Sequence, residues 1–316
     1  MRLAVMGAGA VGSSVVELAG EYGHDVTAFA DSRSAVVDAD GIDAPTVLER
    51  KEHEGVVGDA DPEEALAATY DVLVEATPTT LGDAEPGMSH VEAALRRDRH
   101  VVLANKGPVA ERYGDVRELE ADSEGRVLFE ATVGGAMPVL STITDIGPDH
   151  ITAVRGVLNG TVNFVLSRMA AEGLDYEHVL AEAQDMGVAE TDPSFDVEGT
   201  DTALKGVILA NVLADGREYT LADADVEGIV DIPGSVLELA REDGRTVRLI
   251  VEVRAGEIRV GPRLVPENAA LAPTGTTNAV QLETEHAGQL NVSGPGAGGP
   301  ETASAILADV DRLAHE

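Results

Sequence analysis

The sequence predicts an α/β protein: a doubly wound parallel sheet joined to a second, α+β domain. Three observations predict it. Over residues 1–130, short apolar stretches alternate with amphipathic ones, the pattern of strands joined by right-handed helical crossovers. After about residue 131 this rhythm gives way to helices and then to paired strands. Hydrophobic residues make up 44% of the chain, but aromatics only 3%, and tryptophan is absent. The core is therefore Val, Leu, Ile and Ala, as in parallel strands buried on both faces.

The elements follow in order. Residues 3–6 form a short apolar strand, and residues 11–21 a helix with Val11, Val15, Leu18 and Ala19 on one stripe. Residues 25–30 are a second strand. Pro62 opens a helix at its favoured first position. Strands at 72–76, 101–104 and 127–130 alternate with helices at 90–97 and 116–121. In the second half, residues 151–158 read as a longer strand and two or three helices occupy 161–213. Strands at 246–254 and 257–265 flank the turn Ala255-Gly256, and strands at 278–283 and 289–293 complete the set. Residues 302–315 form an amphipathic helix with Ala303, Ile306, Leu307, Val310 and Leu313 on one face. The divide predicts one domain over 1–130 and another over 131–298.

Charge narrows the partners. The chain carries 57 acidic residues against 22 basic ones, a net charge of −35, which argues against nucleic acid as a partner. The acidic residues are interspersed with apolar periods, so they read as the charged faces of folded helices rather than a disordered tail. Depletion of lysine on such a surface points to adaptation to high salt, where self-repulsion is screened. With no cysteine, disulfides, thiolate metal sites and Cys nucleophiles are excluded. No apolar run is long enough to span a membrane, and the chain enters its first strand at once, so a cytoplasmic protein is expected.

Gly7-Ala8-Gly9-Ala10-Val11-Gly12 joins the first strand to the first helix. A GxGxxG in that context reads as a dinucleotide-binding, Rossmann-type turn. Gly7 allows the tight turn, Gly9 lets the backbone approach a pyrophosphate, and Gly12 lets helix pack on strand. Ala10 and Val11 open the helix whose N–H groups face the phosphates. Asp31, at the end of the second strand, is placed to bond the adenine ribose, which favours NAD. Arg33 would favour the 2′-phosphate of NADP, and both cofactors remain open.

The three lysines are Lys51, Lys106 and Lys205. Lys51 lies in the charged run Glu49-Arg50-Lys51-Glu52-His53-Glu54 and reads as a solvated side chain. Lys106 follows an apolar strand. Lys205 lies one helical turn after Asp201, at the head of an apolar run, so the two share a helix face. A cation beside buried segments is costly unless paired or used. A lysine held by a carboxylate can give a proton to an oxyanion, or take one back. Glu190 and Asp196 add acceptors suited to an ammonium-bearing substrate.

These motifs, with Ala104-Asn105-Lys106, Glu130-Ala131-Thr132-Val133-Gly134-Gly135, Asn159-Gly160-Thr161, the Glu190-to-Lys205 stretch and Gly294-Pro295-Gly296-Ala297-Gly298, fall in the order that resembles the homoserine dehydrogenases. The resemblance covers nearly the whole chain. It implies interconversion of L-homoserine and L-aspartate 4-semialdehyde with NAD or NADP, a step toward threonine, methionine and isoleucine. Lys205 then resembles the acid/base residue and Lys106 the second lysine near nicotinamide. Glu190 and Asp201 resemble the acceptors of the substrate amino group, Asp201 also orienting Lys205, and Gly160 and Thr161 resemble the pocket lining. Thr77 resembles a cofactor-loop position, and Gly296 and Gly298 precede a last helix (299–316) that returns to the cofactor domain. Glu130, Val133, Gly135 and Met137 match positions whose carbonyls hold a monovalent cation, Na+ or K+. The resemblance also implies a homodimer.

Two departures stand out. The chain stops soon after the last helix, so the regulatory domain of many relatives, and its feedback by threonine, is not expected. Val188 stands where relatives often carry an aromatic. Three other functions fit parts of the pattern. An acyl-enzyme semialdehyde dehydrogenase lacks its cysteine here. Another amino-acid dehydrogenase or imine reductase gives no reason for the Glu190–Lys205 spacing, and a dinucleotide sensor would not need both lysines.

Overall fold

The computed structural model describes residues 1–214 and 216–315. The chain forms two compact units, Met1–Ala136 with Ala297–Glu316, and Met137–Gly296. The first divide falls a few residues later than the change of rhythm suggested, because the helical turn after residue 130 stays with the first unit.

In the first unit the elements run β1 (Arg2–Met6), α1 (Ala10–Leu18), β2 (Asp25–Ala30), β3 (Ala35–Val37), α2 (Ala44–Glu54), α3 (Pro62–Ala67), β4 (Val72–Glu75), α4 (Gly87–Leu95), β5 (His100–Leu103), α5 (Gly107–Glu111), α6 (Tyr113–Ala121), β6 (Val127–Leu128) and α7 (Ala131–Gly134). The sheet order is β3-β2-β1-β4-β5-β6, parallel except for the antiparallel edge pair β2–β3. The chain leaves β1 in one direction and returns to its other side at β4, so the order reverses between them. Ligands of such sheets bind at that switch point, beyond the strand C-termini.

The expected strand at residues 127–130 is shorter, ending at Leu128, and the helix expected over 11–21 ends in a 3-10 turn from Ala19. Helix α2 was not expected. Its charged run buries only Val47, so hydrophobic periodicity is nearly silent there. Pro45 in its first turn and Gly55 at its left-handed C-cap (φ 75°) were the available signals.

The second unit contains α8 (Val139–Ile146), β7 (Ile151–Val157), α9 (Gly160–Glu172), α10 (Tyr176–Asp185), α11 (Ser194–Val197), α12 (Thr200–Leu213), β8 (Ala224–Val226), α13 (Gly234–Glu242), β9 (Arg245–Arg254), β10 (Glu257–Pro266), β11 (Thr277–Thr284) and β12 (Gln289–Pro295). Its sheet runs β12-β11-β7-β9-β10-β8, antiparallel apart from β10–β8. Helix α12 is buried from Asp201 to Asn211 and lies on this sheet. Gly206 permits the approach: a Cβ there would stand 2.6 Å from Val251 Cγ2. On strands β7, β9 and β11, Arg155 pairs with Glu252 and Glu283, and Arg254 also reaches Glu283.

Helix α14 (Gly299–His315) returns to the first unit and packs on α1. Ala303, Ile306, Leu307, Val310 and Leu313 join Val15 and Val16 in its core. Asp309 on α14 is 1% exposed and accepts a hydrogen bond from the Glu130 N–H at 2.9 Å, with Arg312 beside it. Burial pushes its carboxyl up to about 6, outweighing the Glu130 N–H and Arg312, which pull it down. A carboxyl raised in this way holds its proton more tightly in the folded than in the unfolded state. Its contribution to stability is greatest below the ordinary carboxylate range and falls as pH rises to about 6. Asp309→Asn removes the titration and keeps an acceptor for Glu130. In paired denaturation curves the variant should gain on the parent as pH rises through that window, by on the order of 2 kcal/mol. A stability difference that stays constant with pH would show that Asp309 does not titrate with folding.

Candidate active site

The turn after β1 is built for close approach. Gly7 has φ +107°, and a Cβ there would lie 2.4 Å from the Ala76 carbonyl oxygen. A Cβ on Gly12 would lie 1.8 Å from the Gly7 carbonyl oxygen, so α1 sits directly on the turn. Gly9 is different: it is exposed, and a Cβ there would meet nothing within 4 Å. Gly9 is also the N-cap of α1, with no side-chain cap and no acidic residue in the first turn that Ala10 and Val11 begin. Open space over uncapped helical N–H groups is the cradle that a pyrophosphate fits.

At the end of β2, Asp31 is more engaged than its sequence position implied. Its Oδ1 accepts from the N–H groups of Arg33 (2.7 Å) and Ser34 (2.8 Å) and from the Ser34 hydroxyl. Its Oδ2 accepts from Lys51 Nζ at 2.5 Å. Burial pushes the carboxyl up, but the Lys51 bond and the two N–H groups prevail and hold it below the usual range. Lys51 is therefore not a solvated side chain. Helix α2 carries it back over the strand end, where it also reaches the Gly55 carbonyl. Arg33 is exposed, and its guanidinium bonds the same carbonyl.

The substrate candidates gather within the second unit. Lys205 is 7% exposed, with Nζ 2.7 Å from Asp201 Oδ2 and 2.6 Å from the Leu158 carbonyl oxygen. Asn159 joins three elements. Its Oδ1 caps α9 by accepting from the Val162 N–H, while Nδ2 donates to Asp201 (3.0 Å) and Asp196 (2.7 Å). Burial pushes the Asp196 carboxyl up, against the Asn159 hydrogen bond; Asp201 and Glu190 raise it further, and Lys205 lowers it. Glu190 is exposed beside this group, its turn held by Gln184 Nε2 on its carbonyl. Gly160 and Thr161 begin α9. The Thr161 hydroxyl bonds the Val188 carbonyl, and a Cβ on Gly160 would lie 2.8 Å from the Thr276 carbonyl oxygen.

The remaining candidates are placed as follows. Lys106 is the N-cap of α5, and its N–H donates to the Thr79 hydroxyl. Thr77 donates both its N–H and its hydroxyl to Glu75. Glu130, Val133 and Gly135 lie on or beside α7, Gly135 with φ +58°, and the Met137 carbonyl accepts from Val139. Gly296 and Gly298 have local reasons to be glycine. A Cβ on the first would strike the Asn278 amide at 1.7 Å, and the second has φ +121°.

A sequence profile of the homoserine dehydrogenase family matches residues 138–310, which include every member of the Lys205 cluster. The chain belongs to the homoserine dehydrogenase family. Over 98% of its length it is 40% identical to the homoserine dehydrogenase of Methanocaldococcus jannaschii, covering 97% of that protein. A solved structure from Archaeoglobus fulgidus is similar with a TM-score of 0.92 at 40% identity, over 99% of each chain. A hyperthermophilic archaeal homoserine dehydrogenase in complex with NADPH is similar with a TM-score of 0.86 at 26% identity, covering 99% of this chain and 97% of that one. The Glutamate/Leucine/Phenylalanine/Valine dehydrogenase profile matches residues 1–81, the segment with the Gly7 turn and Asp31.

Within this family reading, three groups had escaped the sequence. Asn159 belongs to a sequence motif, but nothing linear marks it as the bridge between two carboxylates. The Leu158 carbonyl carries no sequence signal at all. Lys51 was masked by the charged neighbours of its run.

Proposed function

We propose that this protein interconverts L-homoserine and L-aspartate 4-semialdehyde, a step toward threonine, methionine and isoleucine. The observation that carries the proposal is the buried Asp201–Lys205 pair, held by Asn159 and the Leu158 carbonyl. When bound, the nicotinamide cofactor supplies or takes the hydride. In the reducing direction Lys205 gives a proton to the C4 oxygen as carbon gains the hydride, and an alcohol results. In the oxidising direction the lysine accepts that proton. Asp201 orients the ammonium of Lys205 and, with Glu190 and Asp196, accepts hydrogen bonds from the substrate amino group. An arriving ammonium offsets the burial that raises Asp196. The family resemblance makes Lys106, at the head of α5 in the cofactor-binding unit, the candidate second lysine near nicotinamide. Homoserine-dependent reduction of NAD and NADP tests the reading; a protein that reduces neither with homoserine would overturn it.

The ribose end supports NADP(H) as the preferred cofactor. Asp31 already has a partner on each oxygen, and Lys51 offsets its charge. Lys51 and Arg33 then present two cations toward a 2′-phosphate. Lys51→Ala should lower kcat/KM for NADP relative to NAD by about tenfold, worth about 1.4 kcal/mol. Arg33→Ala should move the ratio the same way, and Asp31→Ser the opposite way. A ratio unmoved by Lys51→Ala would return the lysine to a structural pairing.

Two further proposals come with the family. One is that the carbonyls at the family's cation positions, Glu130, Val133, Gly135 and Met137, serve a hard monovalent cation, Na+ or K+, on the strength of the resemblance alone; titration of activity with either chloride tests this. The active form is proposed to be a cytoplasmic homodimer with neither nucleic acid nor membrane as partner. Among the described residues no helix is long and apolar enough to cross a membrane.

A further inference from the structure

Strand β4 ends in a carboxylate that the proposed chemistry does not use. Glu75 is 0% exposed, and burying a carboxylate is costly unless it is hydrogen-bonded. Its Oε1 accepts from the Thr77 N–H at 3.1 Å, from the Thr77 hydroxyl, and from Asn105 Nδ2 at 3.2 Å. Its Oε2 lies 2.6 Å from Nδ1 of His90 on α4, a hydrogen bond that the Nδ1–H tautomer of the ring donates. Asn105 extends the network, with Nδ2 reaching the Thr77 hydroxyl and Oδ1 accepting from the Gly107 N–H at 2.9 Å.

Two functional segments converge on this group. The Ala76–Thr77 backbone is the surface on which the dinucleotide turn rests, since a Cβ on Gly7 would lie 2.7 Å from the Thr77 nitrogen. Asn105 immediately precedes Lys106 and holds the turn into α5 through Gly107. Both segments leave the C-terminal ends of adjacent parallel strands, where open α/β sheets bind ligands. A packing role alone would be met by an apolar side chain, without the cost of burying charge. A carboxylate offers acceptors in two directions, and here they fix the two loops against each other.

We propose that Glu75, oriented by His90, is a positioning residue for the cofactor: it sets the Thr77 segment against the Gly7 turn and holds the turn that carries Lys106. It acts through these neighbours and does not touch substrate. The inference rests on the reading of this unit as the cofactor-binding one. Glu75→Gln keeps the shape but turns an amide N–H₂ toward either His90 or the Thr77 and Asn105 donors, so one set loses its acceptor.

NADPH fluorescence titration of the substrate-free protein gives a readout independent of turnover. Glu75→Gln should weaken NADPH binding and lower kcat, each by about ten- to a hundredfold, while KM for homoserine moves less than about threefold. His90→Asn, whose amide can still donate from the Nδ1 position, should retain NADPH binding, and His90→Ala should lose it. If Glu75→Gln does not fold, the His90 pair decides alone. NADPH affinity unchanged in Glu75→Gln, or in His90→Ala, would overturn the proposal, as would a homoserine KM that rises in proportion to the NADPH dissociation constant. A parent protein that binds NADPH but does not oxidise homoserine would sink the functional reading and leave the binding test of Glu75 standing.

Discussion

Replacing Lys205 by alanine should lower kcat by about 10²- to 10⁴-fold while NADPH binding stays near the parent value. The lysine is 7% exposed and held by Asp201 and the Leu158 carbonyl, so its ammonium is aimed before substrate arrives. Alanine removes the proposed proton donor and leaves the Asp201 carboxylate buried without its cation, which also costs stability. Circular dichroism and the NADPH titration separate that loss from the loss of chemistry. Arginine should not rescue the activity: its planar fork cannot occupy the point position of an ammonium, and it does not give up a proton at neutral pH. A Lys205→Ala enzyme that keeps more than about a tenth of the parent kcat would remove Lys205 from the acid/base role.

Transfer from molar KCl to dilute buffer should expand the protein or separate the proposed homodimer. The chain carries a net charge of −35, with 22 basic residues to set against 57 acidic ones. Arginines such as Arg50, Arg155 and Arg168 are each already shared between two carboxylates, so pairing leaves most of the acidic surface uncompensated. Salt supplies the rest of the screening, with a Debye length of about 3 Å at 1 M and about 30 Å at 0.01 M. At low salt the repulsion becomes long-ranged and acts across the whole molecule. Far-ultraviolet circular dichroism and sedimentation velocity, in molar KCl and then in dilute buffer, would show the loss and its recovery on returning salt. An unchanged spectrum and sedimentation coefficient in dilute buffer would defeat the proposal of salt adaptation.

Legibility of the site followed the range of its interactions. Asp201 and Lys205 meet as their spacing predicts, because one helical turn separates them and α12 begins at Thr200. The Gly7–Gly12 turn was readable for the same reason: every contact that demands glycine at Gly12 lies within that short stretch or the strand before it. Lys51 was misread because its partner Asp31 lies twenty residues away and is reached only when α2 folds back over the strand end. Glu75 gave no sign, since an acid at the end of an apolar strand is ordinary until Thr77, His90 and Asn105 converge on it.

The alternation of strands and helices, the dinucleotide turn and the carboxylate–lysine face were legible in the linear chain, since they depend on periodicities and spacings that hold wherever the chain goes. Folding set which groups are buried and what they bond. It aimed Asn159 at Asp196 and Asp201, closed Lys51 on Asp31 and sealed Glu75 beneath two loops. The physical reason is that burial is a property of packing. A carboxylate or amide in the linear chain is solvated and indifferent to partners; once packing removes its water, its hydrogen bonds must come from whatever the fold has brought within reach.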